Sequence, residues 1–141
     1  MNQPPPSVIS MVTVHVSAPD GLSAPLPAEL HYDTTDPYAV RLSLGAPVNR
    51  PVDWVFARSL LSEGLRRPTG SGDVLVIPRH RCHRRSVSIV LRSPAGSASI
   101  DIAESEVASF LRRTVSLVPP GTENLHVDID RALTELTGRR D

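Results

Sequence analysis

The sequence predicts an α+β fold, an antiparallel sheet built from two β-meander-plus-helix halves with a C-terminal helix. Three observations carry that prediction. Apolar residues alternate with period two in successive short runs across the first two-thirds of the chain. The spacing switches to i, i+4 after residue 57 and again after residue 104. Turn-forming residues separate the runs.

Residues 8–16 (VISMVTVHV) are β-branched and apolar on both faces, as in a strand covered on both sides. Residues 26–32 set Leu26, Ala28, Leu30 and Tyr32 against Glu29 and His31. Residues 38–44 set Tyr38, Val40, Leu42 and Leu44 against Arg41 and Ser43. Between them, Asp33-Thr34-Thr35-Asp36-Pro37 has the chemistry of a turn. Residues 51–56 make a fourth strand. A short helix follows over 57–64, with Phe56 and Leu60, then Leu61 and Leu65, on one face. Gly64 is its expected stop, and Pro68 prevents its return.

The second half repeats the plan without detectable identity to the first. Strands are expected at 73–78, 86–92 and 97–102, the last two joined by Ser93-Pro94-Ala95-Gly96. A helix over 104–117 carries Val107, Phe110, Leu111, Thr114 and Leu117 as its apolar stripe, with Glu104 and Glu106 suited to its N-terminal dipole. Pro119-Pro120-Gly121 breaks the chain, with Gly121 expected at positive φ in a type II turn. Asp128 is positioned to cap a third helix bearing Ile129, Leu133 and Leu136, with Gly138 as its stop. The expected layout is an arm over 1–7, one domain over 8–138 and a tail over 139–141.

Composition narrows the function classes. The chain has 141 residues, enough for one domain with its own core, and a single cysteine, Cys82, so no internal disulfide forms. Fifteen basic residues, all Arg, balance fifteen acidic ones, which gives no bulk attraction to nucleic acid. No run reaches the ~20 apolar residues of a membrane span, and Met1-Asn2-Gln3-Pro4-Pro5-Pro6 lacks the positive start of a secretion signal.

The densest polar cluster is Arg79-His80-Arg81-Cys82-His83-Arg84-Arg85. His80, Cys82 and His83 lack the second ligand pair of a structural zinc site. The four arginines could grip phosphates, but no aromatic residue is interleaved to stack bases. The favoured reading is a solvated hairpin loop able to dock an acidic partner. Catalytic patterns are missing. Cys82 has no evident orienting group, there is no Gly-x-Ser-x-Gly elbow, and Gly70-Ser71-Gly72-Asp73 enters a strand rather than a helix. Trp54, the sole tryptophan, reads as core packing at the strand-to-helix junction.

The stretch VDWVFARSLLSEGL at 52–65, followed by RRPTGSGDV at 66–74, resembles the central signature of the SsgA-like family, actinobacterial regulators of sporulation-specific cell division. YDTTDPYAV at 32–40 and VPPGTE at 118–123, with Asp128-Ile129-Asp130, match in the same order. The resemblance spans residues 26 to 137 and looks closest to the short type common to morphologically complex actinobacteria. Its structural signature comprises Trp54, Phe56, Leu61, Gly64, Pro68, Gly70, Gly72 and Asp73.

The resemblance implies a non-enzymatic, cofactor-free, metal-free cytoplasmic protein at the division septum. It implies that the chain recruits or positions the FtsZ ring by protein contact, with a sister SsgA-like protein as a second partner. It further implies a homotrimer of Whirly-like fold. Single-stranded nucleic-acid binding is the alternative function that this fold suggests, although fold alone does not transfer it. Arg79, Arg81, Arg84, Arg85 and Gly121 are the candidate partner-binding residues.

Overall fold

Strand β1, Ser7–Ser17, shows how the alternation becomes a layer. Val8, Val12 and Val14 are buried, while Ile9, Met11, Thr13 and His15 face outward. The structure, a computed structural model, describes residues 6–19, 21, 23–45, 51–125, 127 and 136. β1 pairs antiparallel with β2 (Ser23–Asp33) from Ser7↔Asp33 to Ser17↔Ser23. β3 (Ala39–Leu44) and β4 (Val52–Ala57) complete the first meander, which leads into helix α1 (Arg58–Gly64). β5 (Thr69–Ser71), β6 (Val74–Arg81), β7 (Arg84–Ser93) and β8 (Gly96–Ala103) form the second, which leads into helix α2 (Glu104–Leu117).

The two meanders join edge to edge in one sheet of order β4-β3-β2-β1-β8-β7-β6-β5. The seam is short, from His15↔Asp101 to Ser17↔Ser99. Both helices lie on the inner face. There Leu30, Tyr32, Val40 and Leu42 of the first half meet Val76, Ile89, Ile100 and Ile102 of the second in one core. Phe110 and Val107 of α2 and Leu61 of α1 close it. Trp54 is half-buried and packs against this core, as expected for the junction.

Several expectations need correction. β5 is an eighth strand that the periodicity does not announce. Ser7, assigned to the arm, opens β1, and Pro6 accepts hydrogen bonds from the Thr34 amide at 3.2 Å and the Thr34 hydroxyl at 3.1 Å. The chain itself does not cover the outer face of β1, since Ile9 and Met11 are 50% and 67% exposed within one copy. Tyr38 precedes β3 and is exposed rather than inward, its hydroxyl bonded to Asn124.

The segment 79–85 is strand as far as Arg81 and strand again from Arg84, with only Cys82 and His83 as the turn. Gly64 ends α1 without leaving the helical region. A Cβ there would lie 2.2 Å from Val76 Cγ1, so glycine is required for the close approach of α1 to β6. At the C-terminus, residues 123–125 are already helical, ahead of Asp128, and Leu136 is 81% exposed. Asp128, Ile129, Leu133 and Gly138 lie outside the described residues.

Candidate protein-contact surfaces

Three surfaces present chemistry to a partner. The first is the β6–β7 hairpin tip. Arg81 stands directly opposite Arg84, and His80 opposite Arg85. Cys82 and His83, at φ 50° and 65°, form a two-residue left-handed turn without glycine. This is the turn hand that matches strand twist, and Asn-Gly would make it with less strain. Arg81, Arg84 and Arg85 project into solvent. Arg79 is tied back, its Nε donating to Ser88 Oγ at 2.8 Å, and the buried Ser88 hydroxyl donates to Asp101 Oδ1 at 2.5 Å. Cys82 is an exposed free thiol. A cleft of about 680 Å³ opens beside the tip, between β1 and β8.

The second surface is the elbow after α2. Pro119-Pro120-Gly121-Thr122 closes a turn in which the Thr122 amide donates to Pro119 O at 3.0 Å and Gly121 has φ +92°. Proline fixes the second position and glycine supplies the positive φ of the third. The Gly121 amide donates to Glu123 Oε1 at 2.9 Å, and Arg58 Nη2 donates to Glu123 Oε2 at 2.7 Å. Arg58 is almost wholly buried at the first position of α1. Its Nη1 donates to Val118 O at 2.8 Å and to Thr114 O and Oγ1 at 3.3 Å, and its guanidinium stands 4.9 Å from the Tyr32 ring centroid.

Arg58 thus binds the start of α1 to the end of α2 and to the segment beyond it. The hydrogen bond from Arg58 holds the Glu123 carboxyl below its ordinary range, against the opposing pull of burial. Burial pushes the Tyr32 phenol up, so it stays a donor to Pro37 O at 2.9 Å.

The third surface is the outer face of the first meander. Ile9, His31, Arg41 and Val55 are cross-strand neighbours in one row over four strands. Met11, Ile9 and Val55 stand open there, beside the His31–Glu29 pair at 2.8 Å and the Ser43 hydroxyl bonded to Asp53 at 2.7 Å.

The remaining signature residues lie along α1, β5 and the ends of β4 and β6. Phe56 and Leu61 are buried, and Pro68 bridges α1 to β5. Gly70 lies in β5, where a Cβ would be 3.3 Å from Leu75 Cδ1. Gly72, at φ +60°, and Asp73 form the β5–β6 turn, with Asp73 O accepting from the Arg92 amide at 2.9 Å. Among the described residues no group of three His, Cys, Asp or Glu could hold a metal, and no helix is long and apolar enough to cross a membrane.

The profile of the family described as "Streptomyces sporulation and cell division protein, SsgA" matches residues 26–123, from β2 to the Glu123 that Arg58 holds. The chain belongs to the SsgA family. SsgB, the sporulation-specific cell division protein of Streptomyces coelicolor, is a relative 48% identical over 114 residues, 81% of this chain and 83% of its own. The SsgB of Thermobifida fusca is 40% identical over 129 residues, covering 92% and 94%.

The crystal structure of an SsgA-like sporulation-specific cell division protein from Thermobifida fusca superposes with a TM-score of 0.88 at 38% identity, over 96% of this chain and 98% of that one. A second solved chain, from work relating SsgB mutations to longitudinal cell division during sporulation of Streptomyces coelicolor, gives 0.81 at 42% identity over 89% and 99%. The family, its SsgB type and the α+β fold are therefore established for this chain, and with them a part in sporulation cell division.

Arg58 is a residue whose role the sequence pattern does not declare. It shares the buried, otherwise apolar face of α1 with Leu61, three residues on, which is the one local sign of a buried role.

Proposed function

We propose that this chain is a non-enzymatic regulator that recruits or positions the FtsZ ring at sporulation septa through protein contacts, acting as a cytoplasmic homotrimer at the septum. The observation that carries the reading is the family match over residues 26–123, which joins it to proteins named for sporulation-specific cell division. The outer sheet face supports self-association. An antiparallel sheet with Ile9, Met11 and Val55 uncovered presents an apolar patch of the kind that marks interaction sites. A sister SsgA-like protein is a second partner of the same class.

The test is co-sedimentation with FtsZ polymers, run beside a single-stranded DNA shift assay at physiological salt. Pelleting with FtsZ without a DNA shift is expected. A DNA shift with no pelleting would replace this reading by the nucleic-acid one. Analytical ultracentrifugation at micromolar concentration is expected to give a trimer, and a monomer would remove self-association.

A further inference from the structure

The β6–β7 hairpin holds an unbalanced concentration of positive charge. Arg81, Arg84 and Arg85 make no ion pair with any described residue, and the imidazoles of His80 and His83 lie among them. Two features of the tip are unfavourable for folding alone. Like charges face each other directly across the ladder at Arg81↔Arg84. Cys82 and His83 both adopt the left-handed region, at roughly 1–2 kcal/mol for each non-glycine residue. Repulsion and strain concentrated at one exposed point are the pattern of a surface kept for contact rather than stability.

The neighbouring cleft gives that surface a shape. β1 and β8 pair only as far as His15↔Asp101 and then diverge, so a space of about 680 Å³ opens between Thr13 on one side and Ile102 and Ala103 on the other. The three free arginines stand at its mouth. Asp101 is its acidic lining residue, and Oδ1 of that carboxylate already accepts from Ser88.

From this juxtaposition we infer that the hairpin tip and the β1–β8 cleft bind an extended, acidic protein segment, whose carboxylates meet Arg81, Arg84 and Arg85 while its apolar side chains enter the cleft. Guanidinium forks match carboxylates two bonds at a time. The lining favours a polypeptide over a nucleic-acid strand, because it mixes cations with Thr13, Ile102, Ala103 and the Asp101 carboxylate, which would repel a phosphate backbone, and offers no Phe, Tyr or Trp as a stacking platform, His15 being its one ring. The inference rests on the protein-contact reading above and names the surface that would make the contact.

The experiment uses fluorescence anisotropy with the full chain and a labelled peptide in which Glu alternates with Thr and Val. A lysine-for-glutamate peptide and a single-stranded oligonucleotide of equal charge serve as comparisons. Wild type is expected to bind the acidic peptide in a salt-dependent way. The Arg81→Ser/Arg84→Ser/Arg85→Ser variant is expected to bind about tenfold or more weakly while melting no lower than wild type, since the Arg81–Arg84 repulsion is gone. Cys82→Asn/His83→Gly, which relaxes the turn and keeps the arginines, is expected to retain binding.

No binding by wild type, equal binding by the triple variant, or tighter binding of the oligonucleotide would each overturn the inference. FtsZ co-sedimentation of the same proteins separates the two ideas. Intact pelleting without peptide binding removes this surface and leaves the function. Peptide binding without FtsZ pelleting does the reverse.

Discussion

The Arg58 guanidinium donates to the Glu123 carboxylate at 2.7 Å, joining a helix start to a segment beyond α2 through side chains that are only 4% and 16% exposed. The pair is one edge of a network that also takes in Thr114, Val118 and the Tyr32 ring. Removing one partner of such a pair leaves the other charge uncompensated. Arg58→Ala is expected to cost about 3 kcal/mol or more, read by urea denaturation, and Arg58→Lys to recover only part of it because the fork geometry is lost. A loss within about 0.5 kcal/mol for Arg58→Ala would show that the network contributes nothing to stability.

Acid should weaken the same contact. Glu123 titrates below its ordinary range in the fold, so its stabilisation is complete above the unfolded carboxyl pKa and is lost as pH falls through the lower folded value. Stability measured downward from about pH 5 should therefore fall more steeply in wild type than in Glu123→Gln. Parallel curves for the two proteins would contradict the assignment.

Gly64 admits no side chain. Val76 Cγ1 and Cβ lie 2.2 Å and 2.5 Å from where its Cβ would stand, so Gly64→Ala must push α1 off β6. A loss of about 1–3 kcal/mol is expected in thermal melting. Pairing the substitution with Val76→Ala should return part of that loss, and a double variant no better than the single one would locate the strain elsewhere.

At Gly121 the space is open. No atom beyond its chain neighbours lies within 4 Å of where a Cβ would stand, and only the φ of +92° opposes a side chain. Gly121→Val is expected to cost about 1 kcal/mol or more, and Gly121→Asn clearly less, since Asn tolerates the left-handed region. Equal losses for the two would indicate that something other than backbone conformation is at issue. If the elbow also sets the pose of a partner surface, Gly121→Val should lower FtsZ co-sedimentation beyond the change seen for Gly121→Asn.

The hairpin arginines should divide in their effect on folding. Arg81, Arg84 and Arg85 are exposed and two of them repel across the ladder, so their joint replacement by Ser should not lower the melting temperature. Arg79 reaches the buried Ser88 hydroxyl, and Arg79→Ala should cost about 1 kcal/mol. Equal tolerance at all four positions would mean that the Arg79–Ser88–Asp101 chain contributes nothing.

Much of the fold is legible because its signals are periodic. The alternation of Leu26, Ala28, Leu30 and Tyr32 and the helical stripe of Val107, Phe110, Leu111 and Thr114 are local statements, and the structure buries those residues on one side apart from half-buried Leu26. β5 escapes because three residues, one of them Gly70, are too few to establish a period. The 79–85 segment reads as loop because its strand ends are polar on both faces, and its turn contains no Gly, Asn or Pro to mark where the chain reverses.

The candidate surfaces are legible only in part. A run of arginines announces itself, whereas the seat of Arg58 does not. Its partners Thr114, Val118 and Glu123 lie far along the chain, and only folding brings them to it.

The three-pair seam between β1 and β8 has a kinetic consequence. Each meander is made of contacts between near neighbours in sequence, which form at low loop-closure cost. The seam instead joins the first strand to the last, so its formation waits on ordering almost the whole chain. Because both halves share one core, opening should start locally at this seam, with the amides of residues 15–17 and 99–101 exchanging before those of the longer ladders on either side.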